Sequence, residues 1–213
     1  TSDVVIAISS SDTSEATVTS TLTFTSANWD TPQTVTVTGA DDDLVDGTQT
    51  TTISITVVGI ISDDSFDAVA DQTLSVTTTD DDVAGFTIAE TDGSTGVAES
   101  GTTDTFTVVL NAQPDSDVVF AISQDDASEA TITSTLTFTS ANWDTPQTVT
   151  VTGVDDDIVD GTIGSTATVS IIDEISDDDF DSVANQTVSV TTTDDDVAGF
   201  TIAETDGSTG VDE

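Results

Sequence analysis

Leu22-Thr-Phe-Thr-Ser-Ala-Asn-Trp-Asp-Thr-Pro-Gln-Thr-Val-Thr-Val-Thr-Gly39 recurs without a change as Leu136 to Gly153. In its second half valine and threonine alternate, in Thr148-Val149-Thr150-Val151-Thr152 and the matching stretch before it, so the valines share one face of a strand and the threonines the other. The turn chemistry of Asp144-Thr-Pro146 stands just before that strand. The copies lie 114 residues apart, a domain-sized period well above the roughly 20–50 residues of solenoid repeats. Aligned at that offset without a gap, residues 1–99 match 115–213 at 75 of 99 positions.

Modules starting at Val83 and Val197 divide the chain into 1–82, the C-terminal part of a first β-sandwich module; 83–196, a complete module; and 197–213, the N-terminal strand of a third. No Gly/Ser or Pro linker separates Asp82 from Val83, so successive modules are expected to join almost directly, with an acidic triplet at the joint. Within 83–196 the alternation predicts strands near Phe86–Ala89, Thr105–Leu110, Val118–Ser123, Ala130–Thr133, Thr135–Thr139, Gln147–Thr152, Thr166–Ile172 and Thr187–Thr192. Phe106, Phe138, Phe200 and Trp143 are expected to supply core bulk. The copies agree least at 51–60 against 165–174, where only Thr52 and Thr166 match but the apolar alternation persists. The reading is all-β, in tandem immunoglobulin-like antiparallel β-sandwich modules of 114 residues.

The chain has 42 Asp and Glu and no Lys, Arg or His, for a formal net charge of −42. No carboxylate therefore has a protein counter-cation. Two unit charges about 4 Å apart repel by roughly 4 kcal/mol at an effective dielectric near 20. The acids are nevertheless clustered, in Asp41-Asp42-Asp43, Asp80-Asp81-Asp82, Asp155-Asp156-Asp157, Asp177-Asp178-Asp179 and Asp194-Asp195-Asp196. Hard oxygen donors in that number suit Ca²⁺ first and Mg²⁺ second. In an extended triplet, residues i and i+2 fall on one side and leave the middle acid for another ion or a backbone contact. Without Cys, neither disulfides nor thiolate metal sites hold the fold; without Lys, a Lys–Asn isopeptide crosslink is excluded. Nucleic acid is not an expected partner, because phosphate binding needs cationic side chains. No apolar stretch of membrane-spanning length and no signal-peptide pattern occurs, so direct membrane insertion is not expected.

The order of Glu, an acidic loop, Leu-Thr-Phe, an Asp triplet followed by acidic-Gly, and a closing Val-Thr-x-x-Asp-Asp-Asp resembles the Calx-β family over the whole module. Ala141 to Asp157 is similar to tandem repeats of large bacterial surface and adhesin-type proteins. The resemblance implies a sandwich of two antiparallel sheets with Ca²⁺ among the loops at one end, near the junction with the next module. Carried over by position, the implied ligands are Glu99, Asp125 or Asp126, Asp155, Asp156, Asp157, Asp160, Asp194, Asp195 and Asp196. In the first module they are Asp12, Asp41, Asp42, Asp43, Asp46, Asp80, Asp81 and Asp82, and Glu213 falls where Glu99 does. The family's usual Glu-Gly-Asp-Glu is replaced here by Asp160-Gly161-Thr162-Ile163, which leaves the number of ions per module open.

Competing readings attach to the same residues. The triplets would also serve as a solvated, solubilising surface, and Asp177–Asp179 reads equally as an ion site or a solvated loop anchored by Phe180, as Phe66 would anchor its counterpart. Trp29 and Trp143 would stack on a sugar or, as preferred here, anchor the core or a turn. A Thr-ladder ice-binding face is disfavoured by sheet twist, and paired acids would permit only glycosidase-type chemistry, with no Cys, His, Lys or Tyr available. The expected role is a non-enzymatic, calcium-stiffened spacer or shaft of an extracellular bacterial surface protein. Its partners would be neighbouring modules of the same or identical chains and a possible cell-surface or matrix ligand. The alternatives are a filament subunit assembled by strand addition, and a directly ligand-binding adhesin module.

Overall fold

In the second copy of the Val/Thr alternation the backbone is extended and its valines are buried. Val149 and Val151 are both fully shielded from solvent, in a strand that spans Gln147–Gly153. The structure is a computed structural model describing residues 2–204, 207, 210 and 211. It divides into two compact units, residues 1–84 with 112–115, and 85–111 with 116–213.

Among the described residues the second unit is a β-sandwich of nine strands: β7 (Phe86–Glu90), β8 (Thr95–Ala98), β9 (Thr103–Leu110), β10 (Val118–Gln124), β11 (Ala130–Ile132), β12 (Thr135–Phe138), β13 (Gln147–Gly153), β14 (Ile163–Ile171) and β15 (Gln186–Thr193). One sheet runs β12-β10-β14-β15-β8 and the other β11-β13-β9-β7. The core between them is aromatic and β-branched. Phe106, Phe120, Phe138, Phe180, Val149, Val169 and Val190 are fully buried, and the Phe120 ring meets Phe86 and Phe138 edge-on at 4.9 and 5.7 Å.

Sequence reading missed β8, because Thr95-Gly96-Val97-Ala98 has one large apolar residue and a glycine that weakens the strand signal. It also departs from the antiparallel rule, pairing in parallel with β15 from Val190↔Thr95 to Thr193↔Ala98. Its one large apolar side chain, Val97, is buried.

The first unit contains β1 (Val4–Ser10), β2 (Ala16–Val18), β3 (Thr21–Phe24), β4 (Val37–Gly39), β5 (Gln49–Val57) and β6 (Gln72–Thr78). They form a β3-β1-β5-β6 sheet and a β2-β4 pair. Identical sequence behaves differently in the two units. Residues 33–39 yield a three-residue strand, whereas their copy at 147–153 yields seven. In the second unit β13 pairs with β9 along six residues and with β11 along three, whereas among the described residues β4 pairs with β2 alone.

Two expectations about aromatics are corrected. Phe200 is 88% exposed rather than core, whereas its counterpart Phe86 is buried with its ring 4.9 Å from that of Phe120. Trp29 is 72% exposed, while Trp143 is half-buried at a turn where its carbonyl accepts from the Leu110 amide at 3.2 Å.

Candidate metal centre

β8 ends one residue short of Glu99. The Glu99 amide donates to the Thr193 carbonyl at 3.1 Å, fixing the glutamate beside the acidic run that follows β15. Its backbone can lie there because β13 ends in Gly153: a Cβ at that position would sit 2.0 Å from the Ala98 carbonyl oxygen. The chain then reverses through Gly101, whose φ of +83° favours glycine. Glu99 is 1% exposed, yet neither carboxylate oxygen has a hydrogen-bond partner. One oxygen each of Glu99, Asp194 and Asp196 lie within 4.8 Å of one another. Oxygens on opposite sides of a Ca²⁺ are separated by up to about 4.8 Å, given bond lengths near 2.4 Å, so this triplet fits the shell of one ion. Asp194 and Asp196 are positions i and i+2 of their run, the pair expected to face one side.

Asp194 also organises the loop around it. Its Oδ2 accepts from the Asp160 and Gly161 amides at 3.0 and 2.8 Å, and its Oδ1 from the Asp196 amide at 2.7 Å. Gly161 at φ +81° makes that turn possible. These amide bonds hold the Asp194 carboxyl below the usual carboxylate range. Glu99 shows the opposite effect: burial first, then the charges of Asp194, Asp156, Asp160 and Glu129, raise its carboxyl to about 7. Asp196 is pushed up by burial and then by Asp194, Asp157, Asp195 and Asp155, and its Oδ2 is buried without a partner.

Sequence reading missed Glu129. It is 5% exposed with an unpartnered Oε2, and burial followed by Asp160, Asp126, Asp156 and Asp194 raises its carboxyl. Its counterpart Glu15 is raised by burial and then by Asp46, Asp42, Asp12 and Asp80, the equivalent four acids. The available signal was Ser-Glu-Ala-Thr, kept in both copies at 14–17 and 128–131, where the following alanine, Ala16 or Ala130, is fully buried and places the glutamate at the strand mouth.

Ligand atoms of Glu99, Asp194 and Asp196 meet; Asp156, Asp160 and Glu129 lie near enough for their charges to act on Glu99, Asp126 near enough to act on Glu129, and Asp155, Asp157 and Asp195 near enough to act on Asp196. Asp125 is used differently: its Oδ1 accepts from the Thr166 amide at 2.7 Å, tying its loop to β14. Asp126 supports the loop of Glu129, accepting from the Ser128 amide at 3.1 Å.

The first unit repeats the amide contacts of Asp194 and Asp126. Asp80 accepts from the Asp46, Gly47 and Asp82 amides at 3.1, 2.8 and 2.7 Å, and Asp12 from the Ser14 amide at 3.0 Å. A cavity of about 30 Å³ is lined by Glu15, Asp41, Asp42, Asp46 and Asp80 to Asp82, large enough for an ion or a water. Asp43 is among the charges that, after burial, raise Asp82. Glu213 lies outside the described residues.

Asp177 does not join the cluster. It is buried, accepting from the Ser116 and Asp179 amides at 2.7 and 3.1 Å, and it caps a 3-10 turn whose Phe180 is fully buried. The 177–179 run is therefore a loop anchored by Phe180; Phe66, at the matching place, is 45% exposed.

No protein-family model and no curated protein sequence matches the chain. Solved structures do. Domains 4 and 5 of the S-layer protein SbsC align over 88% of this chain and 70% of theirs at 18% identity and a TM-score of 0.41. The apo-form Calx CBD1 domain aligns over 52% of this chain and 98% of its own at 15% identity and a TM-score of 0.38. The E. coli chaperone DraB aligns over 55% and 59% at 9% identity and a TM-score of 0.39. Superpositions of this quality bear on neither site nor activity; the all-β sandwich rests on the strand pairing itself. Among the described residues, no helix is long and apolar enough to cross a membrane.

Proposed function

We propose that this chain is a non-enzymatic, calcium-binding structural segment of an extracellular surface protein, a shaft or spacer made of repeated sandwiches. One observation carries the proposal: in a chain without a single cationic side chain, Glu99 buries both carboxylate oxygens unpartnered beside Asp194 and Asp196. A buried charge without partner or counter-ion is expensive, and the donor set is all oxygen, which favours Ca²⁺. When bound, Ca²⁺ supplies the positive charge that the chain lacks and ties the carboxylates together. The residues do the rest. Asp194 holds the Asp160–Gly161 turn by its amides, Gly153 admits the Glu99 backbone, and Glu129 and Asp156 close the locus from the other loops.

The closing triplets run straight into Val83 and Val197 with no spacer residues. Neutralising them stiffens the backbone at the start of the next module; leaving them charged loosens it. Small-angle scattering of residues 1–213 at 2 mM Ca²⁺ and in excess chelator tests this mechanical role. A larger maximum dimension or broader distribution in chelator is expected, and identical profiles would refute stiffening.

A further inference from the structure

We infer that a side-chain latch, Asn142 with Gln147 in the second unit and Asn28 with Gln33 in the first, closes one edge of each sandwich to strand pairing with a second copy of this chain. Among the described residues β12 ends the β12-β10-β14-β15-β8 sheet and β3 ends the β3-β1-β5-β6 sheet. In an antiparallel pair, alternate residues turn both backbone groups toward the partner. The Ile122 amide donates to the Ser134 carbonyl at 2.8 Å, so Leu136 and Phe138 face β10 while Thr135 and Thr137 turn their amides and carbonyls outward. Such an outward row is a template for another strand.

The latch occupies that row in both units. Gln147 Nε2 donates to the Thr137 carbonyl at 2.7 Å, and Asn142 Oδ1 accepts from the Thr139 amide at 2.6 Å. In the first unit Gln33 Nε2 and Asn28 Nδ2 donate to the Thr23 carbonyl at 2.8 and 3.3 Å, and Asn28 Oδ1 accepts from the Thr25 amide at 2.5 Å. The intervening turn holds these side chains in place. The Asn142 and Thr145 amides donate to the Thr139 and Asn142 carbonyls at 3.1 and 3.0 Å, and Pro146 fixes its φ just ahead of Gln147.

Charge explains why this edge needs a latch. With 42 acids and no cation, two copies repel across most of their surfaces, and β7, at an edge of the other sheet, ends in Glu90. Ala130 to Trp143 and its copy Ala16 to Trp29 contain no Asp or Glu. Within them Ser134-Thr-Leu-Thr-Phe-Thr-Ser140 is uncharged, β-favouring and free of proline, the composition that pairs edge to edge. Two such strands laid antiparallel are self-complementary about a two-fold axis. Repulsion does not guard this edge; the latch does.

The test is sedimentation velocity of residues 1–213 in calcium, from low micromolar to millimolar protein. It compares the native chain, the pair Gln33→Met with Gln147→Met, and that pair combined with Thr23→Pro and Thr137→Pro. Methionine fills similar space but cannot donate, so it uncovers the Thr23 and Thr137 carbonyls. Proline removes the outward amides of the same strands, which make no bond to β1 or β10. The methionine pair is expected to associate at a concentration about tenfold or more below that of the native protein, and the proline additions to restore native behaviour. A methionine pair that sediments as the native chain does overturns the inference. So does association that the proline additions leave in place, which would assign it to another surface or to a loosened fold. No residue of the acidic centre takes part, so failure here leaves the calcium reading standing, and the converse also holds.

Discussion

Glu99→Gln should change how the metal-free protein responds to pH. The carboxyl is raised from 4.5 to about 7 in the fold, so the folded state holds that proton more tightly than the unfolded chain does. The contribution is fully present below pH 4.5 and is lost as pH rises toward 7. For one group with these two values the folded-to-unfolded ratio falls roughly fortyfold between pH 5 and pH 7. The amide of Gln cannot titrate, so the variant should lack this component while keeping whatever general repulsion the other acids exert. Urea denaturation in chelator at several pH values between 5 and 7.5 reads it as a steeper decline for the native protein than for Glu99→Gln. Calcium reverses the sign, because the ion competes with the proton: apparent affinity should fall about tenfold between pH 8 and pH 6. Parallel curves for the two proteins in chelator would refute the assignment of a protonated, buried Glu99.

Other perturbations follow from the same geometry. Gly153→Ala forces a Cβ against the Ala98 carbonyl and should cost about 1–3 kcal/mol by overpacking, with weaker calcium binding; Gly164→Ala, where a Cβ meets nothing within 4 Å, is the control, and equal denaturation midpoints would contradict the close approach. Asp194→Asn removes the charge that holds the Asp160, Gly161 and Asp196 amides and should speed hydrogen exchange at those three positions, whereas Asp195→Asn should leave exchange there unchanged. Glu129→Gln should lower calcium affinity while melting in chelator at a temperature equal to or above that of the native protein, since it deletes a buried charge; a lower melting temperature in chelator would assign Glu129 a purely structural role.

The strands of the second unit were legible because Val/Thr alternation and proline or Asp-Gly turns are local signals, and every strand expected between Phe86 and Thr192 forms. β8 was not legible, since its pairing is parallel and long-range and its sequence offers only Val97. Exposure was the least readable property. The same Phe is buried at 86 and exposed at 200, and the same Trp half-buried at 143 and exposed at 29, because tertiary neighbours decide it. Of the site, the Asp triplets and Glu99 stood out by clustering and position. Glu15 and Glu129 did not, as an isolated Glu is unremarkable until the fold shields it. Nor did sequence distinguish Asp125, spent on the Thr166 amide, from Asp126, which accepts from the Ser128 amide next to Glu129.

The central claim is that borrowed divalent cations complete this acid-only sandwich, and calorimetric titration of Ca²⁺ into chelator-stripped residues 1–213 tests it most directly. A saturable heat at sub-millimolar calcium is expected, diminished in Glu99→Gln and in Asp196→Asn and accompanied by a higher melting temperature. Absence of saturable heat at 10 mM calcium, with melting unaffected by chelator, would contradict it.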